Sequence, residues 1–312
     1  MFVILLVTAP SVQAQTFGVE GLETRASLSF SSALALAGAA LPVGSWNLIG
    51  HLEARYTLED LSLNLALDPA TIFGPQARAE AGLTEAYALY RSGEFDIEAG
   101  VERLPLEVAR LSLPYALEPV DALGRRRGVP GVRLSWNPEA TRLRIAILAL
   151  EGGLVPSLSA RREFGDFEIE AHALVRAGRA TLALTGSGTL EGLVLYGEAW
   201  AITGPLEWRY ALGLSGALGD ALWTLEGGYT SPAPGAPPRH LALGQVALPQ
   251  GEDARWTLSG GAFFDTDVVR GVSSLSYTLS NQDTDLTISL STQFGPSSTV
   301  WTLNLQVRSF LW

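Results

Sequence analysis

Apolar residues recur at every second position, in runs of about 8 to 12 residues, from near residue 20 almost to the end of the chain. That period predicts an all-β protein. Three further observations predict that the strands close into an antiparallel transmembrane β-barrel: strand length, the make-up of the polar faces, and an alternation of short and long connections. The expected count is about 16–18 strands, or 14 if neighbouring runs belong to single strands.

Length comes first. In the run from Trp46 to Tyr56, the residues Trp46, Leu48, Leu52, Ala54 and Tyr56 share one face, opposite Asn47, His51, Glu53 and Arg55. Such a strand is about 33 Å long and rises about 25 Å when tilted by some 40°, the height of a membrane barrel's apolar band. Trp46 with Tyr56, and Trp223 with Tyr229, then fall where aromatic girdles meet the interfaces. The second observation is that the apolar faces mix Leu with many Ala and Gly, whereas the polar faces carry charges at mid-strand, among them Glu53, Glu98, Arg144, Glu170, Arg209 and Glu226. A mid-strand charge needs water or a partner, and a wet lumen supplies both.

The third is parity. Strands are expected at 22–31, 45–57, 60–68, 81–91, 94–103, 131–137, 141–151, 157–164 and 166–176, and onward to the end. Connections after even strands are tight, near 58, 92, 138 and 165; those after odd strands (32–44, 69–80, 104–130, 152–156) are long. Barrels of the outer membrane have short periplasmic turns and long outer loops. The pattern fades after residue 176, although 231–238 (SPAPGAPP) falls on the expected side.

Composition agrees. The 312 residues are 47% hydrophobic and 17% charged, yet contain no apolar run long enough for a helical span. A net charge of −11 argues against nucleic acid as a partner. All 21 basic residues are arginine, and cysteine is absent, which excludes disulfides, thiolate metal sites and a cysteine nucleophile. In MFVILLVTAPSVQAQ, Phe2 to Val7 form a short apolar core and Val12-Gln13-Ala14 a cleavage site. Residues 1–14 are thus expected to be a signal peptide and 15–312 an outer-membrane barrel; a buried first strand is the alternative.

No catalytic, metal or cofactor site is expected. His51, His172 and His240 are scattered, and the acidic turns at 265–267 and 281–285 read as polar turns before calcium sites. The chemistry is expected on the wet face. Candidate pore-lining residues are Glu53, Arg55, Glu85, Glu98, Glu102, Arg133, Arg142, Arg144, Arg161, Glu170, Arg209 and Glu226. They divide into an acidic wall on the fourth and fifth strands and a basic wall on the next, which either make a transverse field or pair for stability. The connection 104–130 is the candidate constriction, with Tyr115, Asp121, Arg125, Arg126 and Arg127 as its marked residues, folding either inward or into an outer lobe.

Residues 83–121 resemble a hairpin of Gram-negative porin-like barrels of the alginate-export and phosphate-selective type. Glu85, Ala86, Tyr87, Tyr90, Asp96, Gly100, Pro119 and Asp121 carry the likeness, while Glu102, Arg103, Leu106 and Glu107 depart from it. The resemblance implies a diffusion porin. The end of the chain, VWTLNLQVRSFLW, looks like an outer-membrane assembly signal, but the phase of Trp301, Leu303, Leu305 and Val307 leads to Leu311 and not to Trp312, which requires a bulge or a degenerate signal. The expectation is a passive channel for small hydrophilic solutes in outer-membrane lipid, with a homotrimer as one assembly; a structural or assembly-related barrel with a plugged pore is the alternative.

Overall fold

The computed structural model describes residues 22–37, 43–73, 78–103, 127–204, 206–231, 239–264, 269–281, 284–295 and 298–311. Among them are eighteen strands: β1 (Leu22–Ala37), β2 (Val43–Leu58), β3 (Leu61–Phe73), β4 (Arg78–Ser92), β5 (Phe95–Glu102), β6 (Val129–Trp136), β7 (Thr141–Leu150), β8 (Gly153–Phe164) and β9 (Phe167–Arg176) in the first half. The second half holds β10 (Arg179–Leu190), β11 (Leu193–Ile202), β12 (Glu207–Leu218), β13 (Ala221–Thr230), β14 (Arg239–Pro249), β15 (Ala254–Phe264), β16 (Val269–Ser280), β17 (Thr284–Gly295) and β18 (Ser298–Leu311). Each pairs antiparallel with its sequence neighbours, and β1 pairs with β18, so the sheet closes and has no edge. Closure satisfies the backbone within the ring, the condition for a sheet in hydrocarbon.

Period two persists around the whole ring. One face carries half-exposed aliphatics such as Leu63, Ile147, Leu184, Leu212, Leu258 and Leu290. The other carries charged and hydroxyl side chains, and it is the concave one: Tyr196 on β11 reaches over β12 to Glu226 on β13, and Arg103 reaches over β4 to Asp68. Aromatics mark both ends of the outer face. Near the short-turn rim Phe95 stacks with Trp136 at 6.5 Å and Trp256 meets Tyr277 at 4.5 Å; near the other, Trp208 lies 4.6 Å from Tyr229. The expected girdles are therefore present.

Turn chemistry explains tight connections at both rims. Glu191-Gly192 joins β10 to β11 on the short-turn rim, and Ala177-Gly178 joins β9 to β10 on the opposite one. Both adopt positive φ at their two central residues, the type I′ geometry that matches strand twist. Several expected loops are strand instead. β1 runs to Ala37 and β2 starts at Val43; β3 runs to Phe73 and β4 starts at Arg78. The connection expected at 152–156 shrinks to the turn Glu151-Gly152, because β8 begins at Gly153. The connection 104–130 ends earlier too, since Val129 and Pro130 already belong to β6. Parity survives mainly in two places, between β5 and β6 and between β13 and β14.

One register shift matters. Ala66 pairs with Glu85 and Leu67 with Leu83, which leaves Thr84 as an extra residue on β4. Its hydroxyl donates to the Ala66 carbonyl at 3.0 Å and it is buried. Glu80 and Glu85 are an odd number of residues apart, so only this bulge puts both on the concave face. At the C-terminus, by contrast, β18 pairs with β1 without a break from Val300 to Leu311, so no bulge resets its phase; Trp312 lies outside the described residues. Residues 1–14, the expected signal peptide, also lie outside them.

Candidate functional site

The concave wall is the candidate site, and its register determines who meets whom. Glu98 and Arg133 are cross-strand partners on β5 and β6. Arg133, 3% exposed, lies 3.5 Å from Glu98 and also contacts Glu102. The next arginine along, Arg144, donates to Ser135 at 3.2 Å, and Arg142 donates to Asn137 at 2.8 Å; Asn137 in turn donates to Asp96 at 3.0 Å. Arg161 contacts Glu168 and lies 3.3 Å from Glu163, and Glu170 lies 3.5 Å from His172. Farther round, Glu226 accepts a 3.0 Å hydrogen bond from Tyr196, and Arg209 stands opposite the buried Trp200. Glu53 lies 3.8 Å from His51, and Arg55 stands opposite Asn64 on an exposed stretch of β2.

All twelve charged candidates therefore share the concave face. The acidic and basic walls, however, answer each other at short range: Arg133 draws two carboxylates, and Glu85 lies 3.9 Å from Arg103. Local pairing is the geometry, as cross-strand neighbours of opposite charge dictate. Of the connection's marked residues, Arg127 is described and lies 3.2 Å from Glu80; Tyr115, Asp121, Arg125 and Arg126 lie outside the described residues.

Sequence reasoning missed three polar or aromatic members of this wall and one apolar cluster. Asp68 accepts from Arg103 at 3.4 Å and sits 2.5 Å from His51, so it ties β2, β3 and the end of β5 together. Trp200 and Glu198 are each 2% exposed, on a face expected to be wet. An apolar cluster of Val129, Ala146, Leu148, Leu150, Val155 and Leu174 is also buried there. Alternation alone assigns these to the polar face; nothing in the sequence marks them as covered. Beside them Arg133, Arg144, Ser157, Ser159 and His172 surround a cavity of about 30 Å³, which is water-sized and too small for a solute.

On β16–β18 the wall changes character. Ser274, Ser291 and Thr302 form one cross-strand row, Ser276, Ser289 and Asn304 a second, and Thr278, Thr287 and Gln306 a third. Asn304 and Gln306 are exposed, and all but Thr278 of the others are half-buried. No residue of this three-by-three grid is charged.

Comparison with known proteins follows the fold. No protein-family model matches the chain, and no curated protein does. Solved structures do. OpdQ of Pseudomonas aeruginosa superposes with a TM-score of 0.69 at 9% identity, covering 93% of this chain and 99% of its own. The outer membrane protein OpdK of Pseudomonas aeruginosa gives 0.70 at 8% identity, with 93% and 98% covered. OccAB1 of Acinetobacter baumannii gives 0.64 at 11% identity, with 97% and 100% covered. These neighbours are outer-membrane porins, and what the chain shares with them is the fold. The chain is a transmembrane β-barrel of porin architecture.

Proposed function

We propose that this chain is an outer-membrane porin, a passive diffusion channel for small hydrophilic solutes. The observation that carries the reading is the closed eighteen-strand ring with aliphatic side chains on one face and charged and hydroxyl side chains on the other. Lipid wets the first and water the second, and transport then needs no bond making. The fold shared with solved porins supports the same reading. Reconstitution in planar bilayers tests it. Stepwise steady ion current is the expected result, and a barrel that passes none contradicts it.

Within this reading, Glu53, Arg55, Glu85, Glu98, Glu102, Arg133, Arg142, Arg144, Arg161, Glu170, Arg209 and Glu226 line the lumen. Arg142→Glu with Arg144→Glu is expected to shift the reversal potential toward cations, because neither arginine has a carboxylate within salt-bridge distance among the described residues. An unchanged reversal potential assigns both a structural role only. Connection 104–130 is proposed to narrow the lumen, a role supported by Arg103 and Arg127 at its two ends, which bond to the concave carboxylates Asp68 and Glu80. The plugged barrel is the second reading, favoured by the buried apolar cluster on the concave face. The finer likeness to alginate-export and phosphate-selective porins rests on the hairpin residues alone, and the solved neighbours are porins of another type. Export by residues 1–14 and assembly as a homotrimer complete the proposal; crosslinking in intact membranes tests the latter.

A further inference from the structure

The wall described above is unequal around the ring. From β3 to β9 its charges are answered by opposite charges or by amide and hydroxyl groups, as with Arg133 between Glu98 and Glu102. On β16–β18 the grid is neutral, and the charged residues of that face stand at strand ends: Arg270 near one rim, Asp285 and its cross-strand partner Arg308 near the other. We infer that the grid on β16–β18 is a track for uncharged polyhydroxylated solutes, the carbohydrate class. This inference rests on the channel reading and names the solute within it.

Hydrogen-bond capacity is the first reason. Each Ser or Thr hydroxyl donates once and accepts twice, and each Asn or Gln amide does both, whereas guanidinium only donates and carboxylate only accepts. A sugar hydroxyl needs both roles at once. Exchange of water for such a wall is nearly even in energy for a neutral polyol, but an ion gives up hydration and meets no opposite charge. Spacing is the second reason. Neighbouring groups in a row lie about 4.8 Å apart and successive rows about 6.8 Å apart, comparable with the span of one sugar ring. The third is that contacts in the first two rows are loose, although Thr278 and Thr287 of the third row hold each other at 3.1 Å. Ser276 donates to the Thr257 carbonyl and Ser291 to the Thr302 carbonyl, each at 3.5 Å, the outer limit of a hydrogen bond. A solute can replace them. Conduction needs many weak contacts of this kind rather than one tight site.

The full-length protein in planar bilayers and in liposomes provides the test, with sucrose as the neutral probe and gluconate as the charged one. Sucrose is expected to reduce the ion current in a concentration-dependent way and to enter liposomes faster than gluconate. Ser274→Val with Ser289→Val and Asn304→Leu is expected to weaken the sucrose block at least about tenfold, roughly 1.4 kcal/mol, with ion conductance within about twofold of the parent. Ser274→Thr with Ser289→Thr keeps the hydroxyls and should keep the block. Ion current with no sucrose effect, gluconate entering faster, or a triple variant that blocks like the parent overturns the inference and leaves the channel standing. No ion current at all overturns the channel reading itself.

Discussion

Gly213 shows how much a single residue decides on the concave wall. It lies between Tyr196 and Glu226 in one cross-strand row, and a Cβ built on it would come within 2.0 Å of the tyrosine ring. Without a side chain there, the ring lies flat across β12 and its hydroxyl reaches the buried Glu226. Gly213→Val should therefore displace the ring and leave a buried carboxylate without that donor, a loss of about 1–3 kcal/mol. Urea unfolding in detergent micelles measures it. Arg133 is the electrostatic counterpart. Arg133→Ala strands two concave carboxylates and is expected to cost about 3 kcal/mol or more by the same measurement, whereas Arg133→Met with Glu98→Gln and Glu102→Gln should cost less. Equal losses would mean that packing, not charge, is what Arg133 supplies.

At the scale of the strand, face is what matters. Leu290 and Ser289 are adjacent on β17 and point to opposite sides of the sheet. Arginine at 290 meets hydrocarbon and should destabilise the barrel by about 2–4 kcal/mol if it sits at mid-height, while arginine at 289 meets water and should cost far less. Heat-modifiability on gels reads both. Deletion of Thr84 removes the extra residue and leaves Glu80 and Glu85 at an even spacing, so β4 should pair regularly with both on the concave face and that variant should still assemble. These elements also show what was readable in advance. Period two puts the twelve strand charges on one face of the sheet, because a barrel strand has only two faces. Strand ends were harder: residues 31–37 keep the apolar phase at Leu34 and Leu36, but the alternate positions are the small residues Ala33, Ala35 and Ala37, with no polar contrast to mark a second face. The bulge carries no Gly or Pro to announce it, so the common face of Glu80 and Glu85 was ambiguous. The partners of Arg133 and Asp68 depend on inter-strand register, which no single strand contains.

The whole molecule is a ring, and its behaviour should follow from that alone. Deletion of 108–124 is expected to raise single-channel conductance if the connection narrows the lumen; an unchanged current refutes that role. The central claim is that hydrocarbon wets the convex face and water the concave one. The chain has no cysteine, so single cysteines placed at each position from 286 to 293 report on their own surroundings. Labelling of the reconstituted protein with a small, charged, water-soluble thiol reagent should alternate strictly, with 287, 289 and 291 reacting and 286, 288 and 290 protected. Uniform labelling, or protection of the odd positions in place of the even ones, would contradict it.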